Sequence, residues 1–222
     1  PKERPTFDEI VELLQTDPEF ITECVDEGEF IDYIDFIDES ISKYDSQLKY
    51  PDPVIQYSIV ETLDMSKYRL SNKIDSGMIF DSYAVISRKT KEEYIATIFK
   101  EKINKISTQL MKELVEGLKI FSQLNHPLFS KFIGYSPVDF KSKQHPTVAY
   151  ESGSTKTLRQ IIDKKEEEEE LLDDTEKLII IYGIAFGMRY LHSEDVIHRN
   201  LSTNCIFLDE HFHPKIANLE FL

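Results

Sequence analysis

Three runs with strand character, 68–74, 79–86 and 93–99, follow one another with only Asp75-Ser76-Gly77 and residues 89–92 as turns between them. Connections that short join antiparallel neighbours, so this stretch predicts a meander. A helix follows, with Ile106, Leu110, Met111, Leu114, Leu118, Phe121 and Leu124 on one face, and it stops at His126-Pro127. Further strands are expected at 129–134 and 147–151. A strongly apolar helix spans 175–191, and short strands at 196–198, 205–208 and 214–217 complete the pattern. Five strands with one helix, then a helical region with short strands, is a two-lobed α+β layout.

The N-terminal part reads differently. Residues 1–16 predict an amphipathic helix with Phe7, Ile10, Val11, Leu13 and Leu14 near one face and Thr6 as its N-cap. Residues 17–50 are acidic, with Ile31, Tyr33, Ile34, Phe36, Ile37 and Ile41 at mixed spacing, which suits either a loosely packed connector or a tail that wraps a neighbour. Tyr50-Pro51-Asp52-Pro53 marks a linker, because two prolines cannot continue a helix. The run from Lys164 through Glu170 predicts a solvated loop or helix end.

Charge and composition narrow the function classes. A net charge of −15 disfavours nucleic acid and anionic membrane surfaces as partners. The longest apolar run, 178–186, is half a membrane span and is interrupted by Gly183. Two cysteines, Cys24 and Cys205, make no disulfide framework, so a reducing, cytoplasmic setting is expected. Asn200-Leu201-Ser202 is formally a glycosylation sequon, but a folded cytosolic loop is the expected setting. His211 and His213 stand in a turn before Pro214 with too few companions for a metal site, and no metal centre is expected.

His198-Arg199-Asn200-Leu201-Ser202-Thr203-Asn204-Cys205 has the length and frame of the kinase catalytic loop H-R-D-L-x-x-x-N. Asn218-Leu219-Glu220 stands where D-F-G belongs. Gly187 to Ser193, Leu124-Asn125-His126-Pro127 and Phe132-Ile133-Gly134-Tyr135 fall in order upstream. Together these resemble the protein kinase superfamily, in particular the tyrosine-kinase-like group of serine/threonine kinases. Pro1-Lys2-Glu3-Arg4-Pro5-Thr6-Phe7 resembles the R-P-[ST]-F motif that closes such a domain. The resemblance implies four segments: 1–16, the closing helix of a preceding kinase-like domain; 17–64, an acidic tail and linker; 65–151, a five-stranded N-lobe with one regulatory helix; and 152–222, the first part of a helical C-lobe, truncated after the D-F-G position.

The resemblance also says which side chains phosphoryl transfer would need, and they are missing. The catalytic-loop base falls on Asn200, which takes no proton near neutral pH. The metal-binding positions fall on Asn218, a neutral oxygen donor, and Cys205, a soft ligand ill matched to magnesium. The lysine of V-A-I-K falls on Ile98, with Lys100 two residues on as an imperfect substitute; its glutamate partner falls on Gly117, beside Glu116. One glycine of three, Gly77, remains in the Gly-rich loop, where Asp75 and Phe80 replace the others. No catalytic position is intact, although His198 and Arg199 are retained. Positions that would line a nucleotide site are Gly77, Ala96, Ile98, Tyr150, Glu151, Gly153 and Phe207. Tyr150, at the gatekeeper position, and Phe207 either fill the space of an adenine ring or turn into the core. Phe121, Phe132, His198 and Leu219 fall where the family stacks four side chains between its lobes.

The expected function is a pseudokinase-like interaction or allosteric module with little or no phosphoryl transfer, weak ATP and magnesium binding at most, and protein partners such as an adjacent kinase domain. The alternatives are an ATP-dependent protein serine/threonine kinase rescued by Lys100 with Asp209 or Glu220, and an incomplete gene product whose apolar helix at 177–191 lacks cover.

Overall fold

The computed structural model describes residues 4–47, 62–124, 126–151, 156–163 and 172–218. The expected linker at 50–53, the acidic run at 164–170, Gly153, Leu219 and Glu220 lie outside the described residues.

The alternating runs fold into one antiparallel sheet. Its strands are β1 (Tyr68–Ser76), β2 (Phe80–Ser87), β3 (Glu93–Phe99), β4 (Phe132–Ser136) and β5 (Thr147–Glu151), in the order β1-β2-β3-β5-β4. Strand β4 begins three residues later than expected, because Phe129 makes an isolated bridge to Ile216 instead. A helix, α3 (Thr108–Gln123), is capped by Ser107, whose hydroxyl accepts from the Leu110 N–H at 3.1 Å. Its Leu114, Leu118 and Phe121 share one core with Ile95, Phe99, Val148 and Tyr150 of the sheet. The opposite sheet face is covered at Ala149 by Leu63 and Met65, a separate small cluster.

Beyond the sheet come a short helix α4 (Leu158–Asp163), the long helix α5 (Asp174–Ser193) and the ribbon of β6 (Ile206–Leu208) and β7 (Pro214–Ile216). Residues 196–198, expected as a strand, pair with nothing among the described residues. The Val196 N–H is taken by the Leu191 carbonyl at the end of α5 instead. Helix α5 starts with a capping box, Asp173 and Glu176 exchanging side-chain and backbone bonds at 2.8 Å each. It is buried almost all round, as an apolar helix in water has to be.

Cover for α5 comes from the N-terminal segment, so the bare helix implied by the incomplete-product alternative is not seen. Helix α1 (Phe7–Thr16) forms as the Thr6 cap predicts, with a reciprocal Thr6–Glu9 box. It buries Val11 and Leu14 against α5. Helix α2 (Glu27–Gln47) buries Phe30, Tyr33 and Ile37, spaced three and four apart on one face. The two helices are pinned by specific bonds: Gln15 Nε2 donates to the Tyr182 hydroxyl at 2.8 Å, and the Asp26 N–H donates to Thr175 Oγ1 at 2.8 Å. Phe30 meets Tyr182 edge-on at 5.3 Å, and Tyr33 lies 4.5 Å from the His213 ring. Gly183 makes the approach feasible, since a Cβ there would sit 2.3 Å from the Tyr33 hydroxyl and 2.5 Å from Pro214. The acidic segment is thus a tail that wraps a neighbour, and the neighbour is this chain's own α5. Among the described residues no helix is long and apolar enough to cross a membrane.

Candidate functional site

Side chains on a strand alternate between faces, so the register of β3 decides which residues look into the space between sheet and ribbon. Ile95, Thr97 and Phe99 face α3, with Ile95 and Phe99 in the main core and Thr97 bonded to Tyr150. Ala96 and Ile98 therefore lie on the outer face, where Ile98 pairs across to Asp81 and Ala96 to Ala149. The expected placing of Ile98 and Ala96 on the inner, nucleotide side is corrected by one residue: Thr97 and Ile95 stand on the inner face instead. The run Ile95-Ala96-Thr97-Ile98 carries no charge to mark its inner face, and a slip of one residue exchanges the faces entirely.

Lys100 shares the outer face. Its ammonium lies 3.3 Å from Asp81 Oδ1 and 3.3 Å from Ser76 Oγ, and it contacts the Gly77 carbonyl. Lys73 binds the same Asp81 oxygen at 3.1 Å. Burial pushes the Asp81 carboxyl up, but hydrogen bonds from Ser76, Lys73 and Lys100 outweigh it and leave the pKa below the ordinary value. Lys100 is therefore engaged at the hairpin, away from the inner face. On α3, Glu116 is exposed and Gly117 buried, so neither brings a carboxylate inward.

The inner face is joined by neutral hydrogen bonds. The Tyr150 hydroxyl donates to Asn218 Oδ1 at 2.7 Å. Having spent its one proton there, it accepts from Thr97 Oγ1 at 3.2 Å, and Thr97 in turn lies 3.4 Å from Ser82 Oγ. Asn218 Nδ2 donates to Cys205 Sγ at 3.5 Å, and the Cys205 thiol donates to the Asn200 carbonyl at 3.1 Å. Ser202 Oγ sits 3.4 Å from the same sulfur. Ser82, Thr97, Tyr150, Cys205 and Asn218 are all buried. The chain runs from the sheet to the backbone of Asn200 without a formal charge, and each link polarises the next.

The remaining expected residues fall around this chain. Tyr150 is fully buried and Phe207 is 3% exposed; both belong to the core, with ring centroids 6.5 Å apart. Of the two readings open for them, turning into the core is the one observed. Phe121 stands 5.4 Å from Phe132 and 6.0 Å from Tyr150. His198 is buried, with Nε2 3.1 Å from the Ala217 carbonyl. That contact puts the ring proton on Nε2, and burial lowers its pKa, favouring the neutral ring. Arg199 and the Asn200 side chain are exposed. Arg199 (φ 54°) and Asn218 (φ 63°) are both left-handed, a conformation asparagine takes readily and arginine at a cost of about 1 kcal/mol. Gly77 closes the β1–β2 hairpin through an N–H···O bond to Phe80 at 2.9 Å, with Met78 at the exposed tip. Phe80 is buried, 6.4 Å from Phe99, and so packs inward under the hairpin. Glu151 is exposed, 3.4 Å from Lys131.

Sequence reasoning missed Thr97 and Ser82. Small hydroxyls inside apolar strands are a usable signal, because each must find a partner when buried. Among the described residues no group of three or more His, Cys, Asp or Glu is placed to hold a metal ion.

A family model described as protein tyrosine and serine/threonine kinase matches residues 69–221. The chain is 30% identical over 142 residues to the tyrosine-protein kinase receptor svh-2 of Caenorhabditis elegans, covering 64% of this chain and 12% of that protein. It is 29% identical over 163 residues to the serine/threonine/tyrosine-protein kinase HT1 of Arabidopsis thaliana, covering 71% and 39%. The chain thus spans well under half the length of these curated relatives. Among solved structures, the apo GRMZM2G135359 pseudokinase superposes with a TM-score of 0.63 at 19% identity, over 78% of this chain and 64% of that one. The pseudokinase DRIK1 (drought responsive inactive kinase 1), in a co-crystal with ENMD-2076, gives 0.63 at 21% identity, over 74% and 64%. At such identities these two speak for the fold alone.

Proposed function

The chain belongs to the protein tyrosine and serine/threonine kinase family, and from that premise we propose that residues 65–222 are a pseudokinase-like domain of the tyrosine-kinase-like group, acting as a protein-interaction or allosteric module. One observation carries the reading. On this reading the positions where the family needs an ammonium and two metal ligands hold Thr97, Cys205 and Asn218, joined through Tyr150 in a neutral hydrogen-bond chain that ends on the backbone carbonyl of Asn200, whose exposed amide stands at the base position. Phosphoryl transfer is mostly positioning and charge stabilisation. A magnesium-bound triphosphate would meet no carboxylate at these positions, and it would have to break buried bonds to gain neutral donors. Residues 1–16, on this reading, derive from the closing motif of a preceding kinase-like domain although the helix packs on this chain's own α5, and such a domain is the first partner to consider. The setting is cytoplasmic.

Rescue by Lys100 and Asp209 is disfavoured by where they lie. Lys100 is tied to Asp81, and Asp209 accepts the His211 and His213 N–H groups at 2.9 Å each within its own turn. The test is a thermal melt with and without ATP and magnesium, alongside a radiometric phosphorylation assay with Asn200→Ala as control. The expected result is no metal-dependent shift and no incorporation. A clear metal-dependent shift at submillimolar ATP, or incorporation that Asn200→Ala removes, would return the chain to the active kinases.

A further inference from the structure

A groove of about 540 Å³ lies on the outer face of the sheet, away from α3 and from the hydrogen-bonded chain. Leu70 of β1, Tyr83 of β2 and Ile98 of β3 floor it, and Phe140, in the loop between β4 and β5, closes one side. All four are only half-buried, so the floor is apolar surface left to water.

Cations ring this floor. Lys100, Lys141 and Lys143 line it, and the Lys73 ammonium stands 5.8 Å from the Tyr83 ring. The two carboxylates at the groove are both engaged. Asp81 holds Lys73 at 3.1 Å and Lys100 at 3.3 Å. Asp139 Oδ1 accepts the backbone N–H groups of Lys141 and Lys143 at 2.8 Å and 2.9 Å, so it shapes the loop instead of pairing with its ammonium groups. The Asp139 N–H donates to the Lys143 carbonyl at 2.9 Å, and Ser142 is left-handed at φ 56°, which closes the turn. Neither Lys141 nor Lys143 forms an ion pair among the described residues. Four ammonium groups thus face two carboxylates, a local positive excess on a chain whose net charge is −15.

That contrast selects the occupant. Charges on a surface act over about 8–10 Å at physiological salt, so a short acidic segment feels the groove and little else. A nucleic acid or an anionic membrane reaches far beyond it and meets the acidic remainder of the chain. We propose that the groove docks an acidic segment of a protein partner, with one apolar side chain on the floor and flanking aspartates or glutamates at the lysines. The inference rests on the interaction-module reading and gives its partner a chemistry. The apolar anchor supplies affinity, the carboxylates supply orientation and approach rate, and the closed turn holds the backbone of Lys141 and Lys143 in place beforehand.

The full chain is titrated, by fluorescence anisotropy, against a synthetic peptide with one leucine between glutamate clusters. A twin peptide has lysine in place of glutamate, and a third has glycine in place of leucine. The glutamate–leucine peptide should bind saturably and progressively less as salt rises; the lysine twin should not bind, and the glycine peptide should bind more weakly. Lys141→Glu with Lys143→Glu should weaken binding about tenfold or more with the melt unchanged. Lys112→Glu with Lys119→Glu, on the exposed side of α3, changes the net charge equally and should leave binding intact. Binding of neither charged peptide, equal binding of both, indifference to the loop variant or equal loss in the α3 variant overturns the proposal. So does tighter capture by a single-stranded oligonucleotide or by anionic vesicles, and so does self-association that the loop variant abolishes, which would give the groove to a second copy. The ATP melt on the same samples keeps the two readings apart: nucleotide binding sinks the pseudokinase assignment alone, and failed peptide binding without a nucleotide response sinks the docking site alone.

Discussion

The two faces of the five-stranded sheet carry opposite electrostatics. On the outer face Lys73 and Lys100 converge on Asp81, with the two lysine side chains about two-fifths exposed. On the inner face Ser82, Thr97 and Tyr150 form a buried chain that ends on Asn218, with no formal charge in it. Lysine and carboxylate are thus still present in this lobe, but they meet at the solvent side of the hairpin. The difference teaches that composition alone says little about competence. An ammonium two residues from the expected position, with one residue of register in between, serves the surface and leaves the interior neutral.

The sharpest way to break this comparison is to put a charge on each face in turn. Thr97→Lys should cost about 3 kcal/mol or more in urea denaturation, because it buries an ammonium among apolar and neutral neighbours with no acid facing it. Ile98→Lys should stay within about 0.5 kcal/mol, since it points outward beside Asp81. If Ile98→Lys proves the damaging change, the register is wrong and the cleft holds a different set of residues.

Tyr150→Phe should come next, at about 1–3 kcal/mol. It deprives Asn218 Oδ1 of a donor and Thr97 Oγ1 of an acceptor while preserving the ring packing against Phe121 and Phe207. An unchanged melting temperature would mean that the hydroxyl chain does not tie sheet to ribbon. The smallest effect belongs to the outer face. Asp81→Asn should cost no more than about 1 kcal/mol, as expected of a partly exposed ion pair. Its signature is the pH dependence. Folding holds the Asp81 carboxyl below its ordinary pKa, so its contribution is complete above the unfolded value, about 3.9, and is lost as pH falls through the folded one. Acid titration of stability should therefore show a steeper loss in the parent chain than in Asp81→Asn, and parallel curves would argue against the pairing.

The sequence was most legible where periodicity was strong. The three hairpin strands, α3 and α5 stand close to their expected places, and Thr6 caps α1 as its residue type suggests. It was least legible where apolar residues stood on both sides of an element. In α2, Ile31 and Phe36 are half exposed, and they blur the stripe of Phe30, Tyr33 and Ile37 that packs on α5. In β3, alternation was hidden because Ala96 is as buried as Ile95, beside Ala149, which Leu63 and Met65 cover. Spacing singled out Asn200, Cys205 and Asn218, and Cys205 does lie between the Asn200 carbonyl and the Asn218 amide. Their joining through Tyr150 could not be read, because a contact spanning 68 residues leaves no local trace.

The bond between Gln15 and Tyr182 spans 167 residues, and the whole N-terminal wrapping depends on contacts of that reach. On the ribosome α1 and α2 emerge before α5, the helix on which they pack. They wait through synthesis of the entire sheet before α5 appears, at a translation rate that leaves them uncommitted for roughly ten seconds or more. Final consolidation of this chain is therefore a late, slow closing step, and the interval before it is when a chaperone holding acidic, amphipathic helices would have the most to do.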